Sequence, residues 1–184
     1  MRLNGGKMLS NIDFIQNAYC VDNLENACDR LNKTLGLGPF LGGGDTHIRG
    51  HVYRGKPAEP IHIRSVFAHA GSTLIELIEV LSKSPSAFHD MLPETVEPFA
   101  VLHHTAYFAK DYQADRDHFE QSGFPIASEF AFDGQRVCYA DTRSVLGHMV
   151  EIYPEHPIIR SMYAQTKAAH FERGGEMRID PFQF

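Results

Sequence analysis

The chain has 184 residues, 43% hydrophobic and 22% charged, an ordinary balance for a soluble globular protein with a sizeable core. Its net charge of -6, with no basic cluster, excludes the electrostatic footprint of a nucleic-acid binder and argues equally against Lys/Arg-driven membrane attachment. Cys20, Cys28 and Cys138 are odd in number and form no CxxC pair, so a reducing compartment is the simpler reading. The opening MRLNGGKML lacks the apolar core of a signal peptide and no later run approaches a membrane span, so a cytoplasmic protein is expected.

In chain order, IDFIQNAYCV (12–21) reads as a strand. Asp22 or Asn23 then caps a helix whose apolar stripe is Leu24, Ala27, Cys28, Leu31 and Leu35, ended by Gly36 and Gly38-Pro39. The Gly42-Gly43-Gly44 run lacks the lysine and strand–helix context of a phosphate loop, and is expected to be a mobile connection or a lid. Residues 46–54, 61–69 and 74–80 read as three strands. The stretch 81–99 holds three prolines and reads as a linker with one short helix.

The order then repeats. LHHTAYFA (102–109) is a strand and 111–122 a helix. Residues 127–132 and 136–141 flank Asp133-Gly134, a strong tight-turn signal, and HMVEIYP (148–154) is a last strand. At an offset of 88 residues Gln16 falls on His104, Ala18 on Ala106 and Tyr19 on Tyr107. Residues 157–173 read as a further helix, opened by Pro157 and ended by Gly174-Gly175, with Ile159, Met162, Tyr163 and Thr166 on one face. Its tail ends apolar and is expected to pack over something.

The last strands of the two copies also align, LIELIE against MVEIYP. Side chains alternate along a strand, so if Ile75 and Leu77 face packed helices, Glu76 faces the other way, and so does Glu151 between Val150 and Ile152. A carboxylate in so apolar a strand needs a cation, a proton or a partner. Two copies related by a pseudo-twofold bring Gln16, Glu76, His104 and Glu151 onto one concave face, a donor set suited to one divalent metal. Glu79 competes with Glu76 but has the opposite parity. His103 is expected on the opposite face with a structural role, and His47, His51 and His62 facing solvent. No base stands beside any cysteine in sequence, which weakens a nucleophile role. Arg49, Arg64, Arg136 and Arg143 either anchor an anionic substrate or face water.

On these residues the chain resembles the vicinal oxygen chelate superfamily of glyoxalases, bleomycin-resistance proteins and ring-cleaving dioxygenases, over roughly residues 12–155. LGLGPF (35–40) and ELIEV (76–80) look more like methylmalonyl-CoA epimerases, which usually have histidine in the place of Gln16. The resemblance implies an α+β fold of two tandem βαβββ modules. These would form a curved, mostly antiparallel eight-stranded sheet around a cavity, with a C-terminal helix. It divides a single domain 1–184 into a first module (12–80), a linker (81–99), a second module (100–155) and a helix and tail (156–184). The implied metal set is Gln16, Glu76, His104 and Glu151, holding one Zn, Ni, Co or Mn ion, with Glu151 the catalytic base and Glu76 the second carboxylate. A small substrate with vicinal oxygens and a homodimer are implied. The site lies within one chain or is shared by two, and the C-terminal helix closes the cavity or makes a dimer. The expected chemistry is glyoxalase- or epimerase-like proton transfer. A drug-sequestering binding protein and an extradiol-type dioxygenase are the alternatives.

Overall fold

The computed structural model describes residue 9, residues 12–94 and residues 98–184. The opening MRLNGGKML, apart from Leu9, and linker residues 95–97 lie outside the described residues. Among those described, eleven strands form one sheet where eight were expected.

The seam of the sheet is β1 (Gln16–Val21) against β7 (Ala100–Ala109), antiparallel. Parallel to β1 runs β6 (Thr73–Val80), followed outward by β5 (Ile61–Ala70) and β2 (Phe40–Ile48). Parallel to β7 runs β10 (Met149–Pro154), followed by β9 (Gln135–Ala140) and β8 (Ile126–Phe132). The remaining strands are β3 (Val52–Tyr53), β4 (Lys56–Pro57) and β11 (Ile179–Asp180).

Two helices cover one face. Helix α1 (Leu24–Leu35) is capped by Asn23, whose side chain accepts from the Asn26 N–H at 2.9 Å, and Gly36 ends it in the left-handed region. Its Leu24, Ala27 and Cys28 pack on Val21, Val66, Ala68 and Leu77. Helix α2 (Tyr112–Gln121), capped by Asp111, sets Phe119 against Ile126, Cys138, Val150 and Ile152. The helix-facing residues therefore include Leu77, Val150 and Ile152, the neighbours of Glu76 and Glu151. The third long helix, α4 (Pro157–Arg173), follows a four-residue turn of helix α3 (Arg143–Leu146) and packs on β5.

Four departures from the expected elements have local causes. The span 46–54 breaks at Gly50 (φ 63°). Its second half becomes the β3–β4 hairpin, turning at Arg54 and Gly55, and pairs with β8 at the far end of the sheet. The glycines 42–44 are not a free connection. They lie inside β2, where the pairing with β5 slips between Gly42 and Asp45. The bare backbone there admits close neighbours: a Cβ on Gly42 would meet the Ser65 carbonyl oxygen at 2.5 Å, and one on Gly43 would meet Ile179 of β11 at 2.9 Å. The described linker forms overlapping turns, with Asp90 N–H bonded to Ser86 C=O and Met91 N–H to Phe88 C=O, and no helix. Yet Ala87 and Phe88 are fully buried. Finally, His51 does not face solvent. It is buried, with Nε2 2.9 Å from the Ser128 hydroxyl.

The close approach at Gly42 makes a test. Gly42→Ala, at φ 119° and against backbone, is expected to destabilise the fold by about 1–3 kcal/mol and lower the melting temperature by several degrees. Gly44→Ala, with nothing within 4 Å, is expected to leave it nearly unchanged. Thermal unfolding of both variants checks the pair.

Candidate metal centre

The register of the four central strands places the polar residues in two rows across the concave face. One row runs Glu76, Ala18, His104; the other Gln16, Ala106, Glu151. Each alanine, fully buried, separates two long side chains about 10 Å apart at their backbones. Its short side chain leaves the space over which they lean together. The repeated alanine of the two copies thus has a physical purpose.

The four residues converge within one chain. Ligand atoms of Glu76, His104 and Glu151 all lie within 4.8 Å of one another, and all three residues are buried. His104 Nε2 is 2.9 Å from Glu151 Oε2 and 3.6 Å from Glu76 Oε2. Despite that proximity, Glu151 Oε2 has no hydrogen-bond partner. A buried carboxylate oxygen beside an imidazole nitrogen, with no hydrogen bond between them, fits two donors turned toward one cation, since ligands at about 2.1 Å from an ion stand about 3.0 Å apart in octahedral and about 3.4 Å apart in tetrahedral geometry. The donor chemistry of Glu76, His104 and Glu151 fits a divalent ion, and the Gln16 amide reaches the same cluster. Its Nε2 donates to Glu76 Oε2 at 2.8 Å and lies 3.2 Å from His104 Nε2, while its Oε1 accepts from the Tyr163 hydroxyl at 2.7 Å. A half-turn of the amide exchanges the two ends and offers oxygen to the cluster.

Burial, and then the charge of Glu151, push the Glu76 carboxyl well above its ordinary value of 4.5, against a hydrogen bond from Ser65 that lowers it. Two buried carboxylates side by side do not both stay charged without a counter-ion.

His103 does not sit on the opposite face. Ala18 pairs with His104 and Tyr19 with Leu102, so His103 is the extra residue of a β-bulge, which re-aims its side chain. Its ring stacks on Phe88 with centroids 4.6 Å apart, and its Nδ1 is 2.7 Å from His104 Nδ1. Burial, then the neighbouring His104, hold its own pKa well below the usual range, so the ring is neutral. When His104 turns a lone pair from Nε2 to the cluster, its Nδ1–H donates to His103, which fixes the tautomer.

Three tyrosines stand at the site that the sequence reading did not place there. Tyr139 lies directly opposite Glu151 on β9, and burial and the charge of Glu151 push its hydroxyl well above its ordinary value. Tyr153 shares the parity of Glu151 and reaches Gln16 Oε1 at 3.5 Å. Parity would have found Tyr153. Tyr163 comes from α4, and no local signal points it at Gln16. Of the competing residues, Glu79 pairs with Arg64 at 3.1 Å, away from the cluster. Arg64, Arg136 and Arg143 are engaged by Glu25, Glu129 and Asp141 respectively, while Arg49 lines the cavity. His47 and His62 stack at 4.1 Å, with His62 bonded to Asp45. All three cysteines are buried, and burial pushes the Cys28 and Cys138 thiols up to about 12.

The cluster opens into a cavity of about 480 Å³, bounded by β2, β5, β8, α4 and the C-terminal tail. The C-terminal helix lies over this cavity, with Ile159, Met162 and Tyr163 among its lining residues.

The family model described as the Glyoxalase/Bleomycin resistance protein/Dioxygenase superfamily matches residues 15–139. The chain belongs to this superfamily. The vicinal oxygen chelate fold is shared with a hypothetical protein from Bacillus halodurans C-125 at TM-score 0.53 and 17% identity, over 80% of this chain and 96% of that one. Methylmalonyl-CoA epimerase from Mycobacterium tuberculosis superposes at TM-score 0.52 and 13% identity, over 84% and 95%. At such identities the likeness is one of fold. No curated protein matches the chain in sequence. The superfamily match stops before Glu151, α4 and the tail. Among the described residues no helix is long and apolar enough to cross a membrane.

Two outcomes are expected. A carboxyl group raised in the folded state contributes stability that is complete below the unfolded value of 4.5 and is lost as pH rises through the folded value. Metal-stripped protein should therefore melt progressively lower as pH is raised from 5 to 8. Glu76→Gln, which carries no titrating group there, should flatten that slope. His103→Phe should preserve the stack on Phe88 and weaken zinc binding by about 10- to 100-fold, measured by competition with a chromogenic chelator.

Proposed function

We propose that this chain is a metal-dependent lyase or isomerase of the superfamily, moving a proton at a carbon next to a carbonyl. The observation that carries the reading is the convergence of Glu76, His104 and Glu151, with an unpartnered carboxylate oxygen, at the inner end of a cavity. Gln16, Glu76, His104 and Glu151 would hold one Zn, Ni, Co or Mn ion. When bound, such an ion supplies Lewis-acid stabilisation of negative charge on two neighbouring substrate oxygens.

The chain's own residues supply the proton chemistry. Glu151, on the cavity wall, accepts the proton of the carbon beside the carbonyl; the C–H electron pair moves into the carbonyl, leaving an enolate. The same carboxyl returns the proton to the adjacent carbon in a rearrangement, and in an epimerisation Glu76 returns it from the other side. Tyr139 flanks Glu151 from the neighbouring strand, and Tyr163 holds Gln16 by hydrogen bond. Burial by α4 keeps water from competing for the proton. The epimerase from Mycobacterium tuberculosis, which shares the fold, supports this reaction class, although Gln16 departs from the histidine usual in that group. Two tandem βαβββ modules account for the symmetric rows of the sheet, and a cytoplasmic homodimer is the proposed working form.

Elemental analysis of protein purified without chelator should give about one divalent ion per chain, and 100 Kd of that ion should add about 2.7 kcal/mol of stability. With an α-hydroxyketone in D2O, the metal-loaded protein should exchange the carbon-bound proton, followed by NMR. Glu151→Gln should lower the exchange rate at least about 100-fold while the ion stays bound. Equal exchange by the two, or protein that takes up no ion, sinks the reading.

A further inference from the structure

The buried carboxylates of the cavity, Glu76 and Glu151, stand together, a second polar group of Asp45, Thr46, His47, Arg49 and Asp133 is exposed, and phenylalanines line the walls between them. Phe67 rises from β5, next to Glu76 in the sheet, and Phe130 and Phe132 from β8 across the gap. Ile159 and Met162 of α4 and Phe182 of the tail complete the enclosure. The ring of Phe182 packs on that of Phe67 with centroids 5.7 Å apart at 54°. A volume of about 480 Å³ is that of a pocket for a drug-sized molecule.

Charge narrows the occupant. The residues lining the cavity include four carboxylates, Asp45, Glu76, Asp133 and Glu151, against Arg49 and His47. Asp45, His47, Arg49 and Asp133 are all exposed, with Asp45 held by His62 at 2.9 Å and Asp133 3.4 Å from His156. A multiply charged anionic carrier, such as a nucleotide-linked thioester, finds one arginine among the lining residues, Arg49, where a phosphate site needs several donors.

The aromatic wall is built in rather than draped over the opening. Strand β11 adds the tail to the edge of β2, where Gly43 leaves room for Ile179. Arg173 of α4 pairs with Asp180 at 3.0 Å. Beyond it, Gln165 and Gln183 bond each other's polar groups twice, the amide nitrogen to the Gln183 carbonyl at 2.8 Å and the Gln183 N–H to the amide oxygen at 2.9 Å. These ties fix the backbone on both sides of Phe182.

We propose that the cavity selects a neutral molecule with an aromatic body, whose oxygens turn to the carboxylate–imidazole end, and that Phe182 is the specificity-determining residue that reads the ring. The orientation of the oxygens rests on the function proposed above; the aromatic selection rests on the walls.

Fluorescence and competition titrations of zinc-loaded protein test it with two probes that share one hydroxy-ketone chelating pair, 3-hydroxyflavone with an aromatic body and kojic acid without. The flavone should bind at least about tenfold tighter, and Phe182→Ala should remove about tenfold of its affinity while leaving kojic acid nearly unchanged. Phe132→Ala repeats the measurement from the opposite wall, with melting curves verifying that both variants fold. Propionyl-CoA at equal concentration should not displace the flavone. Equal affinity for the two chelators, indifference to both phenylalanine changes, or displacement by propionyl-CoA overturns the proposal. Zinc-dependent binding with no preference for the ring would overturn it and spare the metal reading. Flavone binding that survives metal removal and still needs Phe182 would support it and count against the metal.

Discussion

Two carboxylates, an imidazole and an amide buried side by side are the constraint on which this structure turns. Burying one unpaired charge is expensive, and burying two of the same sign more so. The sheet tolerates the arrangement because each residue is anchored on a separate central strand. Four strands in the order β6, β1, β7, β10 must keep register for the cluster to exist. Ala18 and Ala106 leave the gap in the middle; a larger side chain at either place would fill the space over which the long side chains meet. The packed helices on the far face fix which way each strand turns, since Leu77, Val150 and Ile152 have no other place to be buried.

Around this centre the protein adds supports that come from distant segments. The bulge at His103 brings a second ring against the outer nitrogen of His104. Phe88, from the segment between the two halves, backs that ring. Tyr163, from the last helix, takes one end of the Gln16 amide. The same helix carries the tail that lines the cavity, so the polarity of the inner end and the aromatic character of the walls depend on one docked element. Reactive centre and walls differ in composition: buried carboxylates meet at one end, phenylalanines line the walls, and the exposed lining mixes both signs of charge.

Much of this was legible in the chain. The two strand–helix–strand runs stood out because local alternation, caps and turn residues act over a few positions: Asn23 and Asp111 cap their helices, and Asp133-Gly134 turns its hairpin. Parity alone sets Glu76 and Glu151 away from their apolar neighbours, and the repeat pairs Gln16 with His104. The glycine run misled, because three glycines look the same to a sequence reader in a loose loop and in a strand that must pass close to its neighbours. His103 misled because strict alternation assumes an unbroken ladder, and a bulge inserts one residue without leaving a composition signal.

The sequence by itself therefore determined the long strands and helices, the superfamily resemblance and the shared parity that singles out Glu76 and Glu151, because periods of two and 3.6 residues and local hydrogen bonds are written in neighbouring positions. Tertiary structure decided that Val52–Tyr53 crosses to pair with β8, that Tyr163 faces Gln16, and that Phe182 closes the cavity against Phe67. Those contacts join residues from about 75 to 147 positions apart in a chain whose local pattern carries no record of the separation. Only the twist and register of the completed sheet bring them within reach.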